Sequence, residues 1–340
     1  MTDNDLVIFN NVTLNYSTIE NVYLLIQTIR PQWSKFNTIF KKFNDGITNT
    51  TIGLFQIDTN TNEINNESEG LIIKIYGPST DLFINRQNEL NIMKELSKYN
   101  LSNNILIQFS NGFIYSYIQG ETCNSKQLSS KHLSFLIARK LAHYHSLPLP
   151  NKKLDTCLIS QMKTFISLFE TNDQLHKNLL SDIKYIETFI MPKFKLDIVL
   201  CHNDLFCGNI IYNSEKDDIS FIDFEYSFYN YWLYDIANHF SEYTDYIGEP
   251  NLNLYPSREY QKQWLKIYLF YRTKKIENDD FDLDTMCNLI EKFSALAQLF
   301  WTLWLFAQAH LTKNVNFDYE KYGHMRYNIY LEFKKFLFED

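Results

Sequence analysis

The sequence predicts an α+β chain in two parts: an N-terminal part (1–119) built on an antiparallel sheet with one helix, and a larger, mainly helical C-terminal part (120–340). Three observations predict it. At 340 residues the chain exceeds what one compact core ordinarily organises. Before Gln119-Gly120 the apolar residues recur with the period of strands, and beyond it with the period of helices.

In the first part, residues 51–57 alternate apolar and polar positions, and 70–76 form a second apolar run that ends at Gly77-Pro78. Residues 58–68 between them are rich in Asn and Thr, which suits an exposed hairpin loop. Phe83, Ile84, Leu90, Met93 and Leu96 give 83–99 a helical spacing. Residues 105–109 and 113–118 read as a strand pair around a turn at Asn111-Gly112. In the second part, 132–147 is a helical pattern stopped by Pro148 and Pro150, and 154–191 is helical for most of its length. Two short strands follow, 198–201 and 219–222, and the remainder is helix-dominated. No internal repeat appears.

Composition narrows the function. A net charge of -8 argues against a protein that neutralises nucleic-acid phosphates. Five scattered cysteines lack paired zinc-ligand spacing, which leaves reduced thiols in a cytoplasmic protein. No basic leader opens the chain. Residues 293–311 carry no charge and approach spanning length, but Gln298, Gln308 and His310 favour a buried helix over membrane insertion.

The strongest chemical signal is Leu200-Cys201-His202-Asn203-Asp204-Leu205-Phe206-Cys207-Gly208-Asn209, followed by a second apolar strand that ends in Ile222-Asp223-Phe224. Phosphoryl transfer needs a positioned hydroxyl and metal ions that hold and neutralise the phosphates. An Asp at the mouth of a strand can orient the hydroxyl and take its proton. An Asn five residues on and an Asp on the neighbouring strand offer hard oxygens to Mg2+. Each residue alone is ordinary turn chemistry; the three together point to a nucleotide-dependent phosphotransferase. His202, with no second histidine at ligand spacing, reads as a residue that packs and steadies the loop.

CHNDLFCGNIIYN, and then FIDFEYSFYNYWLYDIANHF, resemble the choline/ethanolamine kinase family. The resemblance is dense over 202–246, resumes over 301–330, and is faint but collinear in the N-terminal half. The first motif, in looser form, is shared with aminoglycoside phosphotransferases and other small-molecule kinases; the second is far more specific. The resemblance implies a protein-kinase-like bilobal fold, ATP as phosphoryl donor, Asp204 as catalytic base, and Asn209 and Asp223 as ligands of Mg2+. It also places a phosphate-covering loop at Asp45-Gly46-Ile47-Thr48-Asn49-Thr50, which here holds one glycine and substitutes Thr48, Asn49 and Thr50. Lys74 fits the strand cation that meets the phosphates, and Glu89 its acidic partner on the next helix; taken alone, the two read equally well as surface residues. Tyr117 and Ile118 fall where adenine would find backbone partners.

A quaternary ammonium has no N–H to donate, so aromatic faces recognise it. Trp301 and Trp304 share one helix face, which by itself favours core packing over a pocket wall. The resemblance implies a pocket wall, completed by Tyr246, Phe317, Tyr319 and Tyr322. Glu225 and Glu242 lie near the site in sequence, where they are expected to balance the ligand charge. It implies phosphorylation of choline to phosphocholine, the first step of phosphatidylcholine synthesis by the CDP-choline route, in a cytoplasmic homodimer. Retention of an aromatic in residues 238–246 puts choline first. Ethanolamine is the alternative, followed by another small-molecule kinase and an inactive kinase-fold scaffold.

Overall fold

The computed structural model describes residues 6–43, 48–148, 154–169, 171, 173–244, 250–275, 282–312 and 317–338. The chain forms two compact units, Met1–Glu121 with Ile211–Glu225, and Thr122–Ile210 with Tyr226–Asp340. A single boundary after Gln119 does not capture the return of 211–225 to the first unit. That return depends on packing against residues distant in sequence and leaves no local mark.

The first unit is a six-stranded sheet. Its strands are β1 (Val7–Phe9), β2 (Thr38–Phe43), β3 (Thr50–Gln56), β4 (Leu71–Ile75), β5 (Ile105–Phe109) and β6 (Gly112–Ser116), in the order β1-β5-β6-β4-β3-β2. From β5 to β2 the neighbours are antiparallel, as the sequence predicts, while β1 joins the edge parallel to β5. Neither edge strand shows in the sequence pattern. β2 buries only Thr38 and carries two lysines outward, and β1 buries nothing fully.

Alternation along β4 sorts its residues to two faces. Leu71, Ile73 and Ile75 enter a core with Leu14, Trp33 and α1 (Val22–Ile26). Ile72 and Lys74 therefore point to the opposite face, which carries α2 (Arg86–Ser97). Burying each of those aliphatic chains stabilises by roughly 2 kcal/mol. A one-residue slip would exchange them for a charge, so the register of Lys74 is firmly set. The helix predicted over 83–99 starts later because Asn85 is its cap, accepting from the Asn88 N–H. Glu89, Met93 and Leu96 lie on its buried stripe.

In the second unit, the segment 154–191 is broken into Leu158–Ser167, Gln174–Tyr185 and a wide turn at Ile186–Ile190. The break comes where Asp173 caps a fresh helix. The two strands expected side by side have separate partners. Ile198–Cys201 pairs with Phe228–Tyr231 in this unit, whereas Asp218–Phe221, part of the segment that returns to the first unit, pairs with Ile210–Asn213. Phe228–Tyr231 is aromatic on both faces, so its sequence hides the strand period. The uncharged stretch belongs to one 29-residue helix, Leu283–Leu311, buried continuously from Phe293 to Gln308. It packs against Trp232–Ser241, Leu158–Ser167 and Tyr319–Lys334. Among the described residues, no helix is long and apolar enough to cross a membrane.

Candidate active site

Lys74 stands at the centre of a buried ionic cluster in the first unit. Its Nζ lies 2.6 Å from Glu89 Oε1, 2.9 Å from Asp223 Oδ1 and 3.2 Å from Glu225 Oε2. Arg86, at the first position of α2, reaches Glu225 Oε2 at 2.8 Å and Glu89 Oε2 at 3.2 Å, and its guanidinium stacks 4.2 Å from the Tyr76 ring. Burial works against both cations, but the carboxylates outweigh it and hold Lys74 and Arg86 above their ordinary values. Burial likewise opposes the ionised Glu225, yet Lys74 and Arg86 bring it down to about 2. For Glu89 the larger influence is burial, which raises it. Asp223 itself sits at φ +63°, a left-handed turn directly beyond its strand.

Glu225 has a different setting from the amine-balancing one that its place in the sequence suggests. Besides the two cations, it accepts from Thr48 Oγ1 at 3.1 Å and Asn49 Nδ2 at 2.7 Å. Thr48 and Asn49 are thus tied down over the cluster. Asn49 Oδ1 also accepts from the Gly77 N–H at 3.3 Å. Only glycine fits at 77, since a Cβ there would lie 1.8 Å from the Thr48 carbonyl oxygen. Thr50 opens β3, while Asp45, Gly46 and Ile47 lie outside the described residues. A cavity beside the cluster is lined by Thr51, Lys74, Phe113, Tyr115, Ile118 and Asp223. Ile118 therefore belongs to it. The Tyr117 ring packs instead on Phe55 and Phe43, and its carbonyl accepts from Asn103.

The Cys201–Asn209 segment lies in the second unit and is held from below. Asp235, with no exposure, accepts the His202 N–H at 2.7 Å and the Asn203 N–H at 2.8 Å, one on each oxygen. Asn203 adopts φ +64° and donates to the carbonyls of Tyr226 and Phe228, and its own oxygen accepts from Asn230. This turn fixes the backbone immediately before Asp204. Asn209 Nδ2 donates to the Asp204 carbonyl at 2.8 Å and carboxylate at 3.1 Å. The His239 Nδ1 bonds the Leu205 carbonyl at 2.9 Å, and burial takes that imidazole down to about 4. His202 is fully buried and contributes its backbone groups, consistent with a steadying role.

A connected aromatic group occupies the same unit. Tyr226 meets Trp301 edge to face with centroids 5.2 Å apart; Trp301 meets Trp304 at 5.7 Å, and Trp304 meets Tyr319 at 5.9 Å. Trp304 Nε1 donates to the Tyr226 hydroxyl, and Trp301 Nε1 to Asn238 Oδ1 at 2.8 Å. Phe317 stacks on Tyr322 and touches Tyr319. Glu242, one turn beyond Asn238, is paired with Arg326 at 2.8 Å, and Arg326 also donates to Gln298. Tyr246 lies outside the described residues.

Arg86, Asp235 and Tyr226 escape the sequence reading. Arg86 carries a faint signal, three residues before Glu89 at a helix start. Asp235 carries a stronger one, as the sole charge in Trp232-Leu233-Tyr234-Asp235-Ile236-Ala237. Tyr226 follows the acidic pair Asp223 and Glu225 directly in sequence.

Comparison with known proteins gives a consistent result. The family model described as choline/ethanolamine kinase matches residues 40–331. Human ethanolamine kinase 1 is 33% identical over 333 residues, covering 93% of this chain and 72% of its own length. Among solved structures, an ethanolamine kinase from Plasmodium vivax superposes with a TM-score of 0.78 at 26% identity, covering 96% of this chain and 92% of that one. A choline kinase from Cryptosporidium parvum gives 0.77 at 23% identity, covering 94% and 96%. The fold is protein-kinase-like.

Proposed function

We propose, from the premise that this chain belongs to the choline/ethanolamine kinase family, that it transfers the γ-phosphoryl group of ATP to the hydroxyl of ethanolamine. The observation that carries the phosphotransfer reading is the Lys74–Glu89 pair at 2.6 Å with Asp223 on the same ammonium. A strand lysine oriented by a helix glutamate is the arrangement that presents one fixed positive charge to nucleotide phosphates. The relatives' names support ethanolamine over the choline preference drawn from sequence.

Asp204 takes the proton of the substrate hydroxyl and orients it. Lys74 draws the phosphates, with Arg86 and Glu89 holding its position, and Thr48, Asn49 and Thr50 cover them. Ile118 borders the adenine, whereas Tyr117, its backbone groups committed to Gly70 and Asn103, does not. The donor chemistry fits Mg2+: the Asn209 amide nitrogen is committed to Asp204, which leaves its oxygen for a hard cation, and Asp223 supplies a carboxylate. Magnesium bound there would neutralise phosphate charge. We assign Trp301, Trp304, Phe317, Tyr319, Tyr322 and Tyr226 to the amine pocket, with Glu242 as an acid that balances its charge. We place the reaction in the cytoplasm and the chain in a homodimer as parts of the same reading.

A second reading, choline as preferred substrate, is favoured by the Tyr226–Trp301–Trp304–Tyr319 group, because aromatic faces suit a cation without N–H donors. ADP release measured with each amine, with magnesium present and withheld, tests both. A higher kcat/KM for ethanolamine supports the first reading, a higher value for choline the second. No magnesium-dependent turnover with either amine sinks both.

A further inference from the structure

In the second unit a chain of hydrogen bonds runs from Arg272 to the Cys201–Asn209 segment. Arg272 NH1 donates to the Tyr268 hydroxyl at 3.2 Å. That hydroxyl lies 2.8 Å from His145 Nδ1, and His145 Nε2 lies 3.0 Å from Asp235 Oδ2. Asp235 in turn receives the backbone N–H groups of His202 and Asn203.

The direction of every bond follows from the two ends of the chain. A guanidinium only donates, so Tyr268 accepts from Arg272. The Asp235 carboxylate only accepts, so His145 carries its proton on Nε2, the nitrogen facing it, and Nδ1 of the neutral ring receives the Tyr268 proton. The other neutral tautomer would aim a lone pair at Asp235 and break the link.

The parts are built to hold still. The Tyr268 ring is stacked between Trp232 (5.2 Å, 9°) and Trp264 (5.8 Å, 16°), and the Arg272 guanidinium lies 4.9 Å above Trp232. His145 and Asp235 side chains have no solvent exposure. Burial keeps His145 below its ordinary value, which agrees with a neutral ring. Cys201 completes the same buried group, but its thiol donates to the Asn230 and Tyr231 carbonyls.

We propose that Arg272, Tyr268 and His145 are positioning residues whose polarised hydrogen bonds lock His145 as the Nε2–H tautomer and thereby hold Asp235 under the turn that presents Asp204. None of them touches a reacting atom. Their effect on catalysis rests on the phosphotransfer reading above; the tautomer does not.

The experiment has two arms on the full-length chain. Nitrogen-15 NMR of labelled protein is expected to show His145 protonated at Nε2 and bare at Nδ1. In Tyr268→Phe, which keeps the stacked ring, and in Arg272→Met, that state is expected to give way to a tautomer mixture. In kinetics, both variants are expected to lose roughly tenfold in kcat, the lower range for removed outer hydrogen-bond partners, with the KM values for ATP and amine little changed. His145→Gln, whose amide can still donate to Asp235, is expected to retain more kcat than His145→Ala. A wild-type His145 protonated at Nδ1 overturns the proposal. So do variants whose kcat falls only in proportion to their folded fraction by circular dichroism. An inactive wild type with the Nε2–H tautomer overturns the phosphotransfer reading and supports the lock.

Discussion

Lys74 and Glu89 meet at 2.6 Å with side chains only 5% and 1% exposed, a fully desolvated pair between a central strand and the helix packed on it. Such a pair costs more to break than it contributes when formed, because a lone partner is left as an unsolvated charge. Lys74→Met is therefore expected to destabilise by about 3–5 kcal/mol in urea unfolding. Lys74→Met combined with Glu89→Met is expected to recover part of that loss. Equal or greater destabilisation in the double variant would contradict the account.

Asp204 lies one residue beyond a turn fixed by Asp235 and Asn203. Asp204→Asn is expected to lower kcat by roughly 10²–10⁴, the range for loss of a positioned acid–base group, with the circular dichroism spectrum and unfolding midpoint unchanged. A loss below about tenfold would move the base elsewhere.

Glu225 gives a pH signature. Its folded value of about 2 lies below the ordinary 4.5. A depressed carboxyl favours the folded state when ionised, so its contribution is complete above pH 4.5 and is lost as pH falls from there toward 2. Unfolding free energy measured against pH should fall through that window. Glu225→Gln should flatten the fall while lowering stability at neutral pH. A parallel curve for the variant would show that other groups carry the acid sensitivity.

Trp304 donates to Tyr226 and meets Trp301 and Tyr319 edge on. Trp304→Ala is expected to raise KM for choline by about tenfold or more, as befits a lost cation–π contact of about 1–2 kcal/mol. KM for ethanolamine should rise less, and KM for ATP should hardly move. Matching rises for amine and nucleotide would mark the ring as structural.

Some of this arrangement was legible in the sequence and some was not, for a physical reason. Asp204, Asn209 and Asp223 stand out because their chemistry depends on short spacings beside apolar strands. Lys74 was legible only through the family resemblance, because a lysine alternating along a strand reads equally well as a surface residue. Asp235 serves backbone groups more than thirty residues earlier in the chain, and Arg86 serves Glu225 far downstream besides the nearby Glu89, so the sequence around them does not announce these distant partners. Glu225 was misplaced for the same reason: its neighbour in sequence, Tyr226, joins the aromatic group, while Glu225 itself turns to Lys74. The edge strands β1 and β2 were hidden because a strand that buries almost nothing has no apolar period to detect.

The helix Leu283–Leu311 has one more implication. With every residue from Phe293 to Gln308 buried, it lacks the polar stripe that lets a helix persist at a surface. It cannot mature ahead of the helices that wrap it, so the second unit must assemble cooperatively around it. Its amides should be among the slowest to exchange with deuterated solvent. An intermediate in which it comes loose would expose an uncharged stretch prone to self-association, so refolding yield should fall steeply with protein concentration.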